Sequence, residues 1–188
     1  RDDHALLAEL LAYDLYRRAG VGHPLCHPVR LWMNGEPLGL HLLVEQPGRG
    51  FLRRQGIDDR ANLYKYEKDG KDLARQHEKR TNERDGREDL VQLMAALQTT
   101  DGTLRWAAIR KRFDVEQVVH YFAVRTLLAS ASDIGDDYLA CHDLEGTERW
   151  TLYPRDQDKT WGGRSATADI AAGSPLPFTT PATVGTLA

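Results

Sequence analysis

The chain has 188 residues, 41% hydrophobic and 28% charged, a balance suited to a globular core in one domain or a two-lobed one. A net charge of −3 argues against a dominant binder of phosphate backbones, so no nucleic-acid partner is expected. Two cysteines, Cys26 and Cys141, make no disulfide framework, and no apolar run approaches a transmembrane helix.

The chain opens on Arg1 inside a helix-like pattern and stops at Ala188 in a Pro/Thr/Ala-rich stretch. It is read as an internal fragment, with any signal peptide lying upstream. Residues 4–19 predict an amphipathic helix whose stripe is Leu7, Leu10, Leu11, Asp14 and Leu15. Asp2 or Asp3 stands where an N-cap belongs and Gly20 where a C-terminal cap belongs. Val29–Met33 and Leu38–Glu45 predict two strands around Asn34-Gly35-Glu36-Pro37, a strong hairpin signal.

A short helix is expected at Phe51–Gln55 and a brief strand at Asn62–Tyr66. Lys68–Glu88 is so highly charged that it reads as a solvated surface loop or insertion. Helices follow at Asp89–Leu97, Leu104–Phe113 and Val115–Ala129, the last capped by Asp114. Val118, Val119, Phe122, Leu127 and Leu128 place that helix in a core. Tyr138–His142 and Arg149–Tyr153 predict a second hairpin, and the tail from Arg164 is weakly patterned.

The chemistry concentrates between Ser132 and Gly163, where two acidic groups, Asp133-Ile134-Gly135-Asp136-Asp137 and Asp156-Gln157-Asp158, flank that hairpin. The layout suits a metal-nucleotide phosphotransfer site. Asp133, directly after the apolar helix, either orients an acceptor hydroxyl or closes a helix-end turn. Asp156 and Asp158 are read as alternating residues of an extended segment, facing one metal, or else as a polar turn. Lys65 either reaches a phosphate or is an exposed strand lysine. Glu9 is a candidate partner for a nucleotide lysine upstream of Arg1. His23-Pro24-Leu25-Cys26-His27 lacks the second ligand cluster of a zinc site. His41 and His120 read as core histidines, and Trp32, Trp106 and Trp161 as core or partner-packing residues.

Taken together, several segments resemble the CotH family of atypical protein kinases, named after a bacterial spore-coat protein. Leu11–Val21 is similar to its helix, and Val29–Glu36 with Gly39–Gln46 to its hairpin. Asn62-Leu63-Tyr64-Lys65 and Lys79-Arg80-Thr81-Asn82-Glu83 are similar to further family segments. The run from Trp150 through Pro154, Asp156 and Asp158 to Gly162 resembles its terminal motif.

The resemblance implies an α+β, divergent protein-kinase-like fold with the first part of the small lobe missing. It implies residues 1–66 as the rest of that lobe, 67–163 as a helical lobe with the catalytic loop, and 164–188 as a truncated loop. ATP with Mg2+ or Mn2+ would lie between the lobes. Asp133 would be the catalytic aspartate and Asp156 the metal ligand, supported by Asp137 or Asp158. Trp150 would lie near the nucleotide, and Glu45-Gln46 at the hinge beside the base. Asp137 stands where the family often has Asn, and Arg155 where it has an aromatic residue. The implied reaction transfers the ATP γ-phosphate to Ser or Thr of a protein. The alternatives are a catalytically impaired surface or coat protein on the same fold and a metal-dependent phosphoesterase. Spore-coat, secreted and cell-surface placements all suit the resemblance.

Overall fold

The computed structural model describes residues 6–66, 76–129 and 137–161. Asp2, Asp3, Asp133, Asp136 and the tail from Gly162 lie outside them. The described chain is α+β. Its helices are α1 (Ala8–Arg18), α2 (Arg49–Arg54), α3 (Glu88–Leu97), α4 (Gly102–Arg112) and α5 (Val115–Leu127). Its strands are β1 (Cys26–Met33), β2 (Glu36–Val44), β3 (Asn62–Tyr66), β4 (His77–Lys79), β5 (Tyr138–His142) and β6 (Trp150–Pro154), and a short 3-10 turn covers Gln157–Lys159.

β1 and β2 form a separate antiparallel hairpin. Asn34 and Gly35 both take positive φ, 53° and 85°, so the turn is two residues long, with Met33 opposite Glu36. The expected four-residue turn is thus shorter, and both strands begin earlier. Both faces of the hairpin are largely exposed, including Trp32 (62%) and Leu43 (61%).

The second sheet is antiparallel in the order β4-β3-β5-β6. Strand alternation divides its side chains between two faces. Leu63, Leu139, Cys141 and Tyr153 pack with Phe51 and Leu52 of α2. Tyr64, Ala140 and Trp150 pack with Leu90 and Leu93 of α3. A boundary at residue 66 would fall between paired strands of this one sheet, because β3 is bonded to β5.

A third cluster joins α1 to α5 through Ala12, Tyr16, Val21, Tyr121, Val124 and Leu128. The buried face of α1 is Glu9, Ala12, Tyr13 and Tyr16; of the expected leucine stripe, Leu15 packs against this cluster while Leu7 and Leu11 are about half exposed, so the helix is rotated from the expected face. Aromatic stacking decides the rotation: Tyr16 lies 5.7 Å from Tyr121, ring to ring. Gly20 does end the helix. Its N–H bonds to the Arg17 carbonyl, that of Val21 bonds to the Tyr16 carbonyl, and its φ is +74°, a Schellman closure.

α5 is less buried than expected, with Val119 and Leu127 exposed. His41 and His120 are also exposed, as are Trp32, Trp106 and Trp161, none of them a core residue. Asp114 caps α5 by accepting from the Gln117 N–H at 3.2 Å. Asp114→Ala is expected to cost about 1 kcal/mol. Thermal melting should register this as a fall of roughly 2–4 °C.

The charged stretch before α3 is not all surface loop. It contains β4, and His77, Lys79 and Thr81 are buried. Each finds a polar partner inside the fold, which is why charge did not keep the segment in solvent. The Lys79 ammonium donates to the Gly86 carbonyl at 2.6 Å and lies over the Tyr64 ring. His77 Nε2 meets the Tyr138 hydroxyl at 2.6 Å. Thr81 bridges Leu63 N–H and the Ala61 carbonyl.

Candidate functional site

A cavity of about 250 Å³ opens where α1, the end of β2, β3, β4 and the end of β6 meet. Five of the residues singled out from sequence line it: Glu9, Glu45, Gln46, Lys65 and Asp156. They come from four separate stretches of chain, so the fold brings them together.

Lys65 stands on the α2 face of β3, opposite Leu139, and its Nζ lies 3.8 Å from Glu78. Glu9 is 3% exposed, and its Oε1 accepts from the Tyr13 hydroxyl at 3.1 Å. Burial, reinforced by the Glu9 carboxylate, pushes the Tyr13 phenol well above its ordinary range, so it stays a donor. Glu45 is fixed by the Arg54 guanidinium and by the Leu25 N–H at 3.0 Å. That tether sets the path of the chain into Gln46 and Pro47 along the cavity wall.

Asp156 departs from its expected setting. Its φ of +51° is left-handed, and the next three residues wind into a 3-10 turn. Asp156 and Asp158 are therefore not alternating residues of a strand. Only Asp156 lines the cavity, because successive residues of a 3-10 turn diverge by a third of a turn. Asp137 also takes a positive φ, +57°, just before β5. Its Oδ1 lies 3.7 Å from the Arg155 guanidinium.

Trp150 does not line the cavity. It is 2% exposed on the opposite face of the sheet, stacked on His142 at 4.6 Å and on Tyr64 at 5.8 Å. Behind it, Asp89 accepts from Asn62 Nδ2 (2.9 Å), the Tyr64 hydroxyl (2.6 Å) and His142 Nδ1 (2.9 Å).

Sequence reasoning missed Tyr13 and Arg80 as cavity residues. Tyr13 was legible in principle, one helical turn after Glu9. Arg80 was not, because the β4 pairing that delivers it was hidden in the charged stretch. With Lys65 and Arg155 it puts three cationic residues in a lining that also holds the carboxylates Glu9, Glu45 and Asp156, and the Arg80 guanidinium donates to Glu78 at 2.8 Å.

Among the described residues no three His, Cys, Asp or Glu side chains converge as a metal cage. A magnesium ion carried by nucleotide phosphates needs only one or two protein carboxylates, and Asp156 offers such an oxygen beside cations suited to phosphate. The donor set therefore fits a nucleotide-borne ion. No helix of the described residues is long and apolar enough to cross a membrane.

None of the curated proteins compared with the chain matches it. A family profile described as CotH kinase protein matches residues 1–184, nearly the whole sequence. With that match, and with an α+β fold that gathers the segments of the resemblance around one cavity, the chain belongs to the CotH kinase protein family.

Proposed function

We propose that this chain is an ATP-dependent protein kinase that transfers the γ-phosphoryl group to Ser or Thr hydroxyls, with spore-coat or surface proteins as its substrate class. The observation that carries the reading is the convergence of Glu9, Glu45, Gln46, Lys65 and Asp156 on one cavity. Lys65 and Arg80 supply fixed positive charge for phosphate oxygens, and Glu45-Gln46 forms the wall beside the base. Asp156 holds a divalent ion, Mg2+ or Mn2+, which when bound neutralises charge on the phosphates. Asp158, in the same turn, and Asp137 support that region. Asp133 orients the acceptor hydroxyl and accepts its proton. Trp150 acts from behind β3, stacking on Tyr64, the neighbour of Lys65. Catalysis in this scheme is positioning and charge stabilisation.

One observation favours a second reading, a surface or coat protein that binds nucleotide without transfer. Asp137, which the resemblance sets beside the metal ligand, is paired with Arg155.

The test is phosphate transfer from γ-labelled ATP with magnesium or manganese, beside Asp156→Ala. Labelling of a Ser-rich protein substrate should fall at least a hundredfold in the variant, the scale of losing one charge-stabilising group. ATP binding without transfer by the folded wild type would select the second reading. Absence of both would overturn the nucleotide reading.

A further inference from the structure

Asp137 and Arg155 face each other at the open end of the β5–β6 hairpin. Tyr138 opposite Pro154 is the last pair of the ladder. One step further, the Arg155 N–H donates to the Asp137 carbonyl at 3.0 Å. The two side chains then meet as an ion pair at 3.7 Å, with 26% and 23% of their surfaces exposed. A pair this sheltered is screened less by salt than one in open solvent.

Arg155 also lines the cavity, directly before Asp156. One guanidinium thus lies in ion-pair range of the carboxylate of Asp137 and next in sequence to the carboxylate that fits a metal. Phosphoryl transfer commonly uses two divalent ions between such acids, and an arginine can supply equivalent positive charge to the phosphates. A guanidinium has five N–H donors in a rigid fork, so one arm can hold a carboxylate while another meets a phosphate oxygen. Its charge also repels a cation approaching Asp137.

We propose that Arg155 takes the place of a second metal ion: the site binds one divalent cation, at Asp156, while Arg155 occupies Asp137 and turns its remaining donors to the phosphates. This rests on the phosphotransfer reading. It also joins the two departures from the family pattern, Asp137 and Arg155, into one unit in which the added negative charge is met by an added positive one.

The test counts Mn2+ bound to the protein with a non-hydrolysable ATP analogue, by the magnetic resonance of free manganese. Wild type should bind one ion per chain. Arg155→Gln, similar in length and without charge, should bind two, and its analogue affinity should fall about tenfold. Adding Asp137→Asn to that variant should return the count to one. Arg155→Lys should stay at one. Two ions in wild type, or one ion and unchanged affinity in a folded Arg155→Gln, would overturn the proposal. Analogue bound with no manganese in wild type would overturn the metal assignment to Asp156 as well. No analogue bound by folded wild type would overturn the nucleotide reading itself.

Discussion

Asp89→Ala is expected to destabilise the fold by about 3 kcal/mol, the cost of leaving several buried donors without a charged acceptor. For a chain of this size that is a fall of roughly 6–12 °C in melting temperature. The carboxylate collects three side-chain donors from β3 and β5, and its side chain is only 13% exposed. Removing it strands Asn62, Tyr64 and His142 together and loosens α3 from the sheet. Burial alone pushes the Asp89 carboxyl up, but hydrogen bonds from His142, Tyr64 and Asn62 outweigh it and hold the group well below the usual carboxylate range. A folded carboxyl more acidic than its unfolded counterpart favours the fold above the unfolded value of about 3.9. As pH drops below that value the unfolded chain takes up the proton first, so this contribution declines until the folded carboxyl protonates too. Denaturant titrations of wild type and Asp89→Asn from pH 7 to 2 should therefore converge on the acid side. A gap that stays constant with pH would show that Asp89 is not the group responsible.

Local signals carried the element order well. Asn34-Gly35 demanded its turn, Asp114 its cap and Gly20 its closure, because each acts through backbone geometry within a few residues. The strands at 62–66 and 138–142 were legible as short stretches of tyrosine and leucine bounded by turn residues. What failed was long-range. The buried face of α1 is chosen by Tyr16 stacking on Tyr121, more than a hundred positions away. β4 exists because Thr81 and Lys79 find partners on β3 and at Gly86, which no window of local hydropathy contains. At the site, residue types pointed to Glu9, Lys65 and Asp156 and the family resemblance to Glu45 and Gln46, and the cavity gathers all five. The left-handed turn at Asp156 separated it from Asp158, because a backbone reversal overrides the alternation that an Asp-x-Asp run suggests.

Trp150→Ala should be the most damaging single change in the sheet, at about 3–5 kcal/mol. That corresponds to a melting temperature lowered by roughly 6–20 °C. The indole is enclosed by Tyr64, Leu90, Leu93 and Ala140 and is stacked nearly parallel to His142, with an interplanar angle of 6°. Its backbone carbonyl also accepts from the N–H of Asp114, so β6 meets the start of α5 at this residue. A cavity there would release α3, α5 and the His142–Asp89 contact together. Trp150→Phe keeps an aromatic face for Tyr64 and His142 and should cost only about 1–2 kcal/mol. The pair of variants separates two roles. If the indole acts by backing β3, nucleotide affinity in Trp150→Phe should remain within about threefold of wild type, since Lys65 on the other face of the strand keeps its place. A loss of affinity far beyond that, in protein that melts near wild type, would put the indole against the nucleotide instead.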